Sequence, residues 1–160
     1  MERVNRIWNH PLWRQTLREL ETAEHDRVFC RHGLSHLLDV ARMAYIENLE
    51  QGWNIPKERI YAAALLHDIG RSAQYQRGVP HELAGIPIAK AILQDCGFLE
   101  EEQREILSAI GEHRNQDTQT AETLTGLIYR ADKLSRNCSF CPASPQCNWP
   151  EEKKNQNLCR

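Results

Sequence analysis

The sequence predicts an all-α fold, a helical bundle of about six helices followed by an irregular, cysteine-rich C-terminal appendage. Apolar residues recur at the three- and four-residue spacing of a helix face through most of residues 11–136, and few stretches alternate with a period of two. Prolines and glycines stand where helices would begin and end. From Asn137 onward the chain is rich in Cys, Pro and Lys and has no periodicity. We therefore expect residues 1–136 to form the helical domain, with residues 137–160 packed on it rather than folded independently.

The first three helices are delimited by these signals. The first opens at Pro11, which suits a first helical turn, and the second stops near Gly52. The third starts after Pro56 and ends at Gly70, for which we expect the left-handed cap conformation. The predicted ranges are 11–24, 33–51 and 57–70.

The last three predicted helices cover 80–97, 100–113 and 120–136. The fourth begins at Pro80 and ends by Gly97, and Pro87 inside it should kink or split the helix. The fifth and sixth carry apolar stripes that end in polar residues, His113 and Asp132.

Length, charge and composition exclude several classes of protein. The 160 residues, 41% of them hydrophobic, suffice for one domain with a substantial core. A formal net charge of −2 disfavours nucleic acid as the main partner. No apolar run reaches membrane-spanning length, and no hydrophobic signal region follows the N-terminus, so we expect a cytoplasmic protein without a membrane partner. Nothing in the sequence indicates the oligomeric state.

Histidines and aspartates recur on the apolar stripes. His67 and Asp68 close the apolar run that starts at residue 62, where a carboxylate is costly unless it is paired or coordinated. His36 shares a helix face with Val40 and Ala44. The residues with this placement are His36, His67, His81, His113 and Asp132, together with Asp68. Imidazole and carboxylate ligands in this number suit a divalent transition metal such as Fe, Mn, Co or Ni.

Four of the six cysteines follow residue 137, which in a reducing compartment favours metal binding over disulfides. Cys138, Cys141 and Cys147 form a C-x2-C-x5-C cluster, and the two-residue gap lets two thiolates bind one ion. The fourth ligand could be Cys30 or Cys159, and we favour Cys30 because Cys159 adjoins the terminus. Zinc and an iron–sulfur cluster both fit, and ordinary unliganded thiols are the alternative.

The order His36, His67-Asp68, Asp132 resembles the HD-domain superfamily of metal-dependent phosphohydrolases. The local contexts agree: HLLDVARMA from His36, ALLHDIGR around His67, and YRADK around Asp132. The likeness covers roughly residues 30–136. With FCRH at residues 29–32 and the cysteine-rich tail, the chain resembles small stand-alone bacterial HD proteins. It implies an HD-domain helical bundle whose metal ligands are His36, His67, Asp68 and Asp132.

The resemblance also implies roles for two further histidines. His81 and His113 fall where some branches of the superfamily have ligands for a second ion, with Asp68 bridging the two. The alternative is a mononuclear site in which these two imidazoles contact the substrate or support the ligands. One or two ions therefore remain open at this point.

The function implied is hydrolysis of a small phosphoester, for which we expect a nucleotide, by attack of a metal-bound hydroxide that Asp68 bridges or orients. Arg71, Arg114 and Lys133 follow predicted ligands and are the candidates for binding the phosphate. His32 is expected to be structural. One alternative is a di-iron oxygenase of the HD fold, and another is a metal-binding sensor or interaction module without turnover.

Overall fold

The structure is a computed structural model and describes residues 1–157. Within this range the chain forms α-helices and three short 3-10 helices, with no strand, so the predicted all-α class is confirmed. The α-helices are α1 (Glu2–Asn9), α2 (Pro11–Ala23), α3 (Leu34–Gln51), α4 (Lys57–Leu66), α5 (Arg71–Arg77), α6 (His81–Asp95), α7 (Glu100–Glu112) and α8 (Leu124–Leu134). The 3-10 helices cover Gln116–Thr118, Ser144–Gln146 and Glu151–Lys153. No helix in this range is long and apolar enough to cross a membrane.

Two helices are missing from the sequence prediction because neither has a full apolar stripe. The first, α1, has eight residues and buries only Val4 and Ile7. The second, α5, has seven residues and buries Ser72 and Ala73, so hydrophobic periodicity does not reveal it. Pro87 does not split α6, which is assigned as one helix from His81 to Asp95.

The core lies between the four helices α3, α4, α7 and α8, where α4 and α8 each pack against both α3 and α7. Next to α7 lies α6, and α5 packs on α6. The largest fully buried apolar side chains are Ile7, Ile60, Leu65, Leu66, Ile92, Leu93, Ile106, Ile110, Leu124, Leu127 and Ile128. The N-terminal ends of α3 and α6 and the C-terminal ends of α4, α7 and α8 carry the polar residues that extend this core.

The prediction that Gly70 is a left-handed cap at the end of a longer helix is wrong. Helix α4 ends at Leu66, and Gly70 adopts φ −81° and ψ −2°, a conformation open to any residue. Space is the constraint, because a Cβ at Gly70 would lie 2.1 Å from the backbone oxygen of His81 and 2.5 Å from the nitrogen of Gly85. The turn from His67 to Gly70 therefore lies directly against the backbone of α6.

Replacing Gly70 by alanine should destabilise the fold by about 1–3 kcal/mol, because the added methyl group forces the turn away from α6. Gly111→Ala is the matched control, since its Cβ would meet its nearest neighbour, Cδ1 of Ile86, at an ordinary 3.6 Å. That control should be neutral or more stable by up to about 1 kcal/mol, because alanine favours a helix interior. Urea denaturation of both variants without added metal measures the difference. Equal stability of the two variants would contradict the close-approach interpretation.

Candidate metal centre

Five helix ends bring six histidine and aspartate side chains together. They are His36 in the first turn of α3, His67 and Asp68 directly after α4, His81 at the start of α6, His113 directly after α7, and Asp132 in the last turn of α8. Five of these residues are buried, and Asp132 is partly buried. Each sequence-predicted ligand of the histidine site is therefore part of this cluster.

The ligand atoms fall into two compact groups, and within each group they lie within 4.8 Å of one another. The first group is His36, His67 and Asp132, and the second is Asp68, His81 and His113. Asp68 faces both. Its Oδ2 lies 3.5 Å from Nε2 of His36 and 3.2 Å from Nε2 of His67. Its Oδ1 lies 3.2 Å from Nε2 of His81 and 3.7 Å from Nε2 of His113.

Two of the imidazoles are oriented by the carbonyl groups of the preceding helix. Nδ1 of His67 donates to the backbone oxygen of Ala64 at 2.8 Å, and Nδ1 of His113 donates to that of Ile110 at 2.7 Å. A carbonyl oxygen only accepts, so the proton of each neutral ring is on Nδ1 and Nε2 carries a lone pair. Both Nε2 atoms point to the shared cluster, as is typical of metal-binding histidines.

The other two imidazoles are oriented by side chains. Nδ1 of His81 lies 2.6 Å from Oε1 of Gln74, and Nδ1 of His36 lies 3.2 Å from Oγ of Ser135. The hydroxyl of Ser135 donates to the backbone oxygen of Asp132, so its oxygen accepts from His36. These two rings thus also direct the lone pair of Nε2 toward the cluster.

The ligand atoms of the cluster therefore present many lone pairs to one another and few hydrogen-bond donors. The Nε2 atoms of His81 and His113 lie 3.0 Å apart, although both act as acceptors in this tautomer. Nε2 of His67 and Oδ2 of Asp68 are buried without a hydrogen-bond partner. Facing acceptors repel each other unless a cation lies between them, and nitrogen with carboxylate oxygen is the donor set of a divalent transition metal. The residues present therefore fit such an ion.

The protonation states of the carboxylates and of His113 agree with this donor set. Burial would raise the pKa of Asp68, but His67 and Arg71 lower it well below its usual range. Burial would lower the pKa of His67, but Asp68 raises it, so a proton competes with a cation for Nε2 of that ring. The pKa of Asp132 is also well below its usual range, because the close contact with His36 and the charge of Lys133 outweigh burial. Burial, assisted by the charge of His67, lowers the pKa of His113 to about 3. At neutral pH the carboxylates are ionised and His113 is neutral.

Two of the three predicted phosphate-binding cations lie against the cluster. Nε of Arg71 donates to Oδ1 of Asp68 at 2.7 Å. Nζ of Lys133 donates to Oδ2 of Asp132 at 2.8 Å and to the backbone oxygen of His113 at 2.9 Å. Arg114 is not brought there, since its side chain is 56% exposed and its Nη1 lies 3.6 Å from Oε2 of Glu82.

Sequence reasoning missed Arg136, which enters the first group. Its Nη2 lies 3.1 Å from Nε2 of His36 and 3.5 Å from Oδ1 of Asp132. The available signal was its position four residues after Asp132, which places both side chains on one helical face. Gln74 was missed because it lies on the unpredicted helix α5.

A second layer supports His36 from behind. The ring of His32 lies edge-on to that of His36 at 5.6 Å, and its Nδ1 donates to Oε1 of the buried Glu24 at 2.6 Å. The hydroxyl of Tyr75 donates to the same oxygen at 2.6 Å. Burial would raise the pKa of Glu24, but these bonds, chiefly that of His32, lower it to about 2. His32 thus has the structural contacts expected of it.

The predicted cysteine ligands lie outside the two compact groups. Cys138 is buried, Cys30, Cys141 and Cys147 are half-buried, and all four thiols are free. Cys96 is a buried core residue at the end of α6. Cys159 lies outside the described residues.

Known proteins are similar to this chain in sequence and in fold. A chain from Clostridium beijerinckii without an assigned function is 45% identical over 155 residues, which is 97% of each chain. Ribonuclease Y from Nitratidesulfovibrio vulgaris is 32% identical over 107 residues, 67% of this chain and 18% of that protein. The chain thus spans about a fifth of the length of the ribonuclease Y relatives that it matches.

The fold of this chain is also similar to that of a solved structure. The crystal structure of a predicted HD superfamily hydrolase from an uncultured Thermotogales bacterium superposes with a TM-score of 0.62 at 26% identity. The match covers 89% of this chain and 81% of that one. The sequence profile of the HD domain matches residues 33–137, the segment that holds all six histidine and aspartate residues. The chain therefore belongs to the HD domain family, which is part of a superfamily of metal-dependent phosphohydrolases.

Proposed function

We propose that this protein hydrolyses a phosphoester of a small molecule, with a nucleotide as the substrate class, at a dinuclear transition-metal centre. The ligands of one ion are His36, His67 and Asp132. Those of the other are His81 and His113, with Asp68 shared between the two ions. Iron, manganese, cobalt and nickel all suit this donor set.

The direction of the Asp68 carboxylate carries the proposal. One oxygen faces the Nε2 atoms of His36 and His67, and the other faces those of His81 and His113. A carboxylate that binds a single ion would not need imidazole nitrogens facing both of its oxygens. The mononuclear alternative leaves the 3.0 Å contact between Nε2 of His81 and Nε2 of His113 to be bridged by a proton.

Metal ions bound at this centre would polarise a phosphoryl oxygen and make a water molecule acidic at neutral pH. The chain's own residues supply the rest of the chemistry. Asp68 is ionised and is held by Arg71, so it can orient the attacking water by accepting its hydrogen bond.

Cations at the rim of the centre would orient the phosphate. Arg71 and Lys133 each bond a carboxylate of the centre, and their side chains are 18% and 32% exposed. A phosphate oxygen can therefore reach both from solvent and accept charge-assisted hydrogen bonds that stabilise the developing negative charge. Arg114, which is farther out and paired with Glu82, is assigned a weaker contribution.

Two other functions use the same ligands. A di-iron oxygenase would need redox-active iron and a substrate that binds to it, and a sensor module would bind metal without turnover. Hydrolysis is favoured because the ribonuclease Y relatives are named for cleaving a phosphodiester, and the similar crystal structure is described as a hydrolase.

Activity with a panel of nucleotides and other phosphoesters tests the proposal directly. Anaerobically purified protein loaded with Mn²⁺, Fe²⁺, Co²⁺ or Mg²⁺ should release phosphate or a nucleoside monophosphate, and Asp68→Ala should abolish this without loss of helicity. Asp39→Ala is the control, because Asp39 is an exposed carboxylate on α3. Substrate-dependent oxygen uptake without phosphate release would instead identify an oxygenase. Near-normal hydrolysis by Asp68→Ala with metal retained would refute the role of Asp68.

Arg71→Ala should lower kcat/KM about 10- to 100-fold, since one charge-assisted contact is worth about 1.5–3 kcal/mol. Arg114→Ala should lower it less than threefold, because Arg114 is exposed and faces Glu82. Bound metal is measured in both variants to separate substrate binding from metal loss. Equal changes in kcat/KM for the two variants would show that Arg71 has no special role in phosphate binding.

Arg136→Gln should tighten the binding of Mn²⁺ by about tenfold, or roughly 1.4 kcal/mol. The reason is that Nε2 of His36 cannot accept from Arg136 and bind an ion together, so the ion must displace a guanidinium. Arg42→Gln, which removes an exposed arginine from α3, should leave the affinity unchanged. Isothermal titration at low ionic strength measures both variants. Weaker Mn²⁺ binding in Arg136→Gln would show that the guanidinium supports the site rather than competing with the ion.

A further inference from the structure

The segment that follows α8 has almost no hydrophobic attachment to the helical body. Among residues 137–157 only Cys138 and Ala143 are buried, and neither belongs to the main core cluster. Phe140, its largest apolar side chain after Trp149, is 86% exposed. Packing energy alone therefore gives this segment, called the tail below, little reason to adopt one conformation.

Polar contacts nevertheless give the tail a definite path. Nδ2 of Asn155 donates to the backbone oxygens of Lys133 and Arg136, both at 2.8 Å. The hydroxyl of Ser139 donates to the backbone oxygen of Gln156 at 2.6 Å. The end of the tail thus returns to its beginning and to the C-terminal end of α8. The loop closed in this way contains Cys138, Cys141 and Cys147.

Consecutive turns carry these three cysteines. The amide of Cys141 donates to the oxygen of Cys138 at 3.2 Å, that of Ser144 to the oxygen of Cys141 at 3.0 Å, and that of Cys147 to the oxygen of Ser144 at 3.3 Å. Each turn advances three residues, so the chain coils tightly around the cysteines. The two-residue gap between Cys138 and Cys141 lets both thiolates bind one metal centre.

Cys30 lies in the loop between α2 and α3. Nη1 of Arg136, at the end of α8, donates to the backbone oxygen of Arg31 at 3.0 Å, which ties the loop before α3 to the start of the tail. Cys30 adjoins Arg31, and Arg136 lies two residues before Cys138. This contact therefore brings the segment of Cys30 to the beginning of the tail.

We infer that Cys30, Cys138, Cys141 and Cys147 hold an iron–sulfur cluster that fastens the tail to α8 and to the loop before α3. Four thiolates from two separate segments are the usual protein ligands of such a cluster. Two cations lie on the same segment and can offset the charge: Arg136 is two residues before Cys138, and Nζ of Lys154 donates to the backbone oxygen of Ser144, between Cys141 and Cys147, at 3.0 Å. The inference does not depend on the proposed hydrolytic function.

The separation of the thiols favours a cluster over a single zinc ion. A tetrahedral zinc ion with bonds of about 2.3 Å brings its sulfur ligands to within about 3.8 Å of one another. In residues 1–157 no three cysteine sulfurs form a group within 4.8 Å, although the histidine centre contains two groups as compact as that. A cluster spreads its thiolates over several iron atoms and so accepts a wider spacing.

Iron, acid-labile sulfide and zinc are measured in full-length protein purified anaerobically and then reconstituted with Fe³⁺, sulfide and dithiothreitol. We expect sulfide and iron in equal amounts and a broad visible absorbance that dithionite bleaches. Sulfide is the decisive readout, because the histidine centre can bind iron but not sulfide. In Cys138→Ala the sulfide content and the visible absorbance should both fall at least tenfold. Trypsin should then cleave the tail of this variant while α1–α8 stay intact.

Two further variants make the test independent of folding. Cys30→Ala lies in a different segment and leaves the tail sequence unchanged, so it should lose the same sulfide. Cys96→Ala, in the core at the end of α6, should retain it. Stoichiometric zinc with no sulfide after reconstitution would overturn the cluster, as would sulfide that survives both Cys138→Ala and Cys30→Ala. Loss of the cluster with phosphoester hydrolysis intact would leave the proposed function standing.

Discussion

The buried carboxylate of Asp68 is the constraint on which the rest of the structure depends. Its side chain is 1% exposed, and an uncompensated charge at that depth costs far more than the whole stability of a domain can offset. The fixed compensation among the described residues is the bond from Arg71 to one oxygen, and imidazole groups face both oxygens. The nitrogens of these imidazoles that face Asp68 carry lone pairs when the rings are neutral. A divalent cation between them would convert these repelling acceptors into ligands. The stability of the fold and the binding of metal are therefore linked.

The helical architecture serves this centre. Helices α4, α7 and α8 end at it, and the partial negative charge at a helix C-terminus favours a cation there. Two of these helices also supply the carbonyl groups that orient His67 and His113. The close approach of Gly70 to the backbone of α6 brings His81 to Asp68. Main-chain geometry therefore positions most of the donor atoms, with Gln74 and Ser135 completing the set.

Much of this could be predicted from the sequence, because the histidines extend apolar stripes whose period reveals both the helices and their buried faces. The stripe that ends in His113 is an example, as is that of His36 with Val40 and Ala44. What could not be predicted depends on tertiary contact. Helix α5 has no apolar stripe, Gly70 is required by a neighbouring helix rather than by its own dihedral angles, and Arg136 reaches His36 only once α3 and α8 pack together. Arg114 adjoins His113 in sequence, yet its side chain lies at the surface.

Anomalous scattering from crystals grown with Mn²⁺ measures the number of ions and the role of Asp68 in one experiment. We expect two anomalous peaks per chain, one beside His36, His67 and Asp132 and the other beside His81 and His113. The two oxygens of Asp68 should each coordinate a different ion. A single peak, with His81 and His113 still in direct contact and Asp68 bound through one oxygen, would contradict the dinuclear centre.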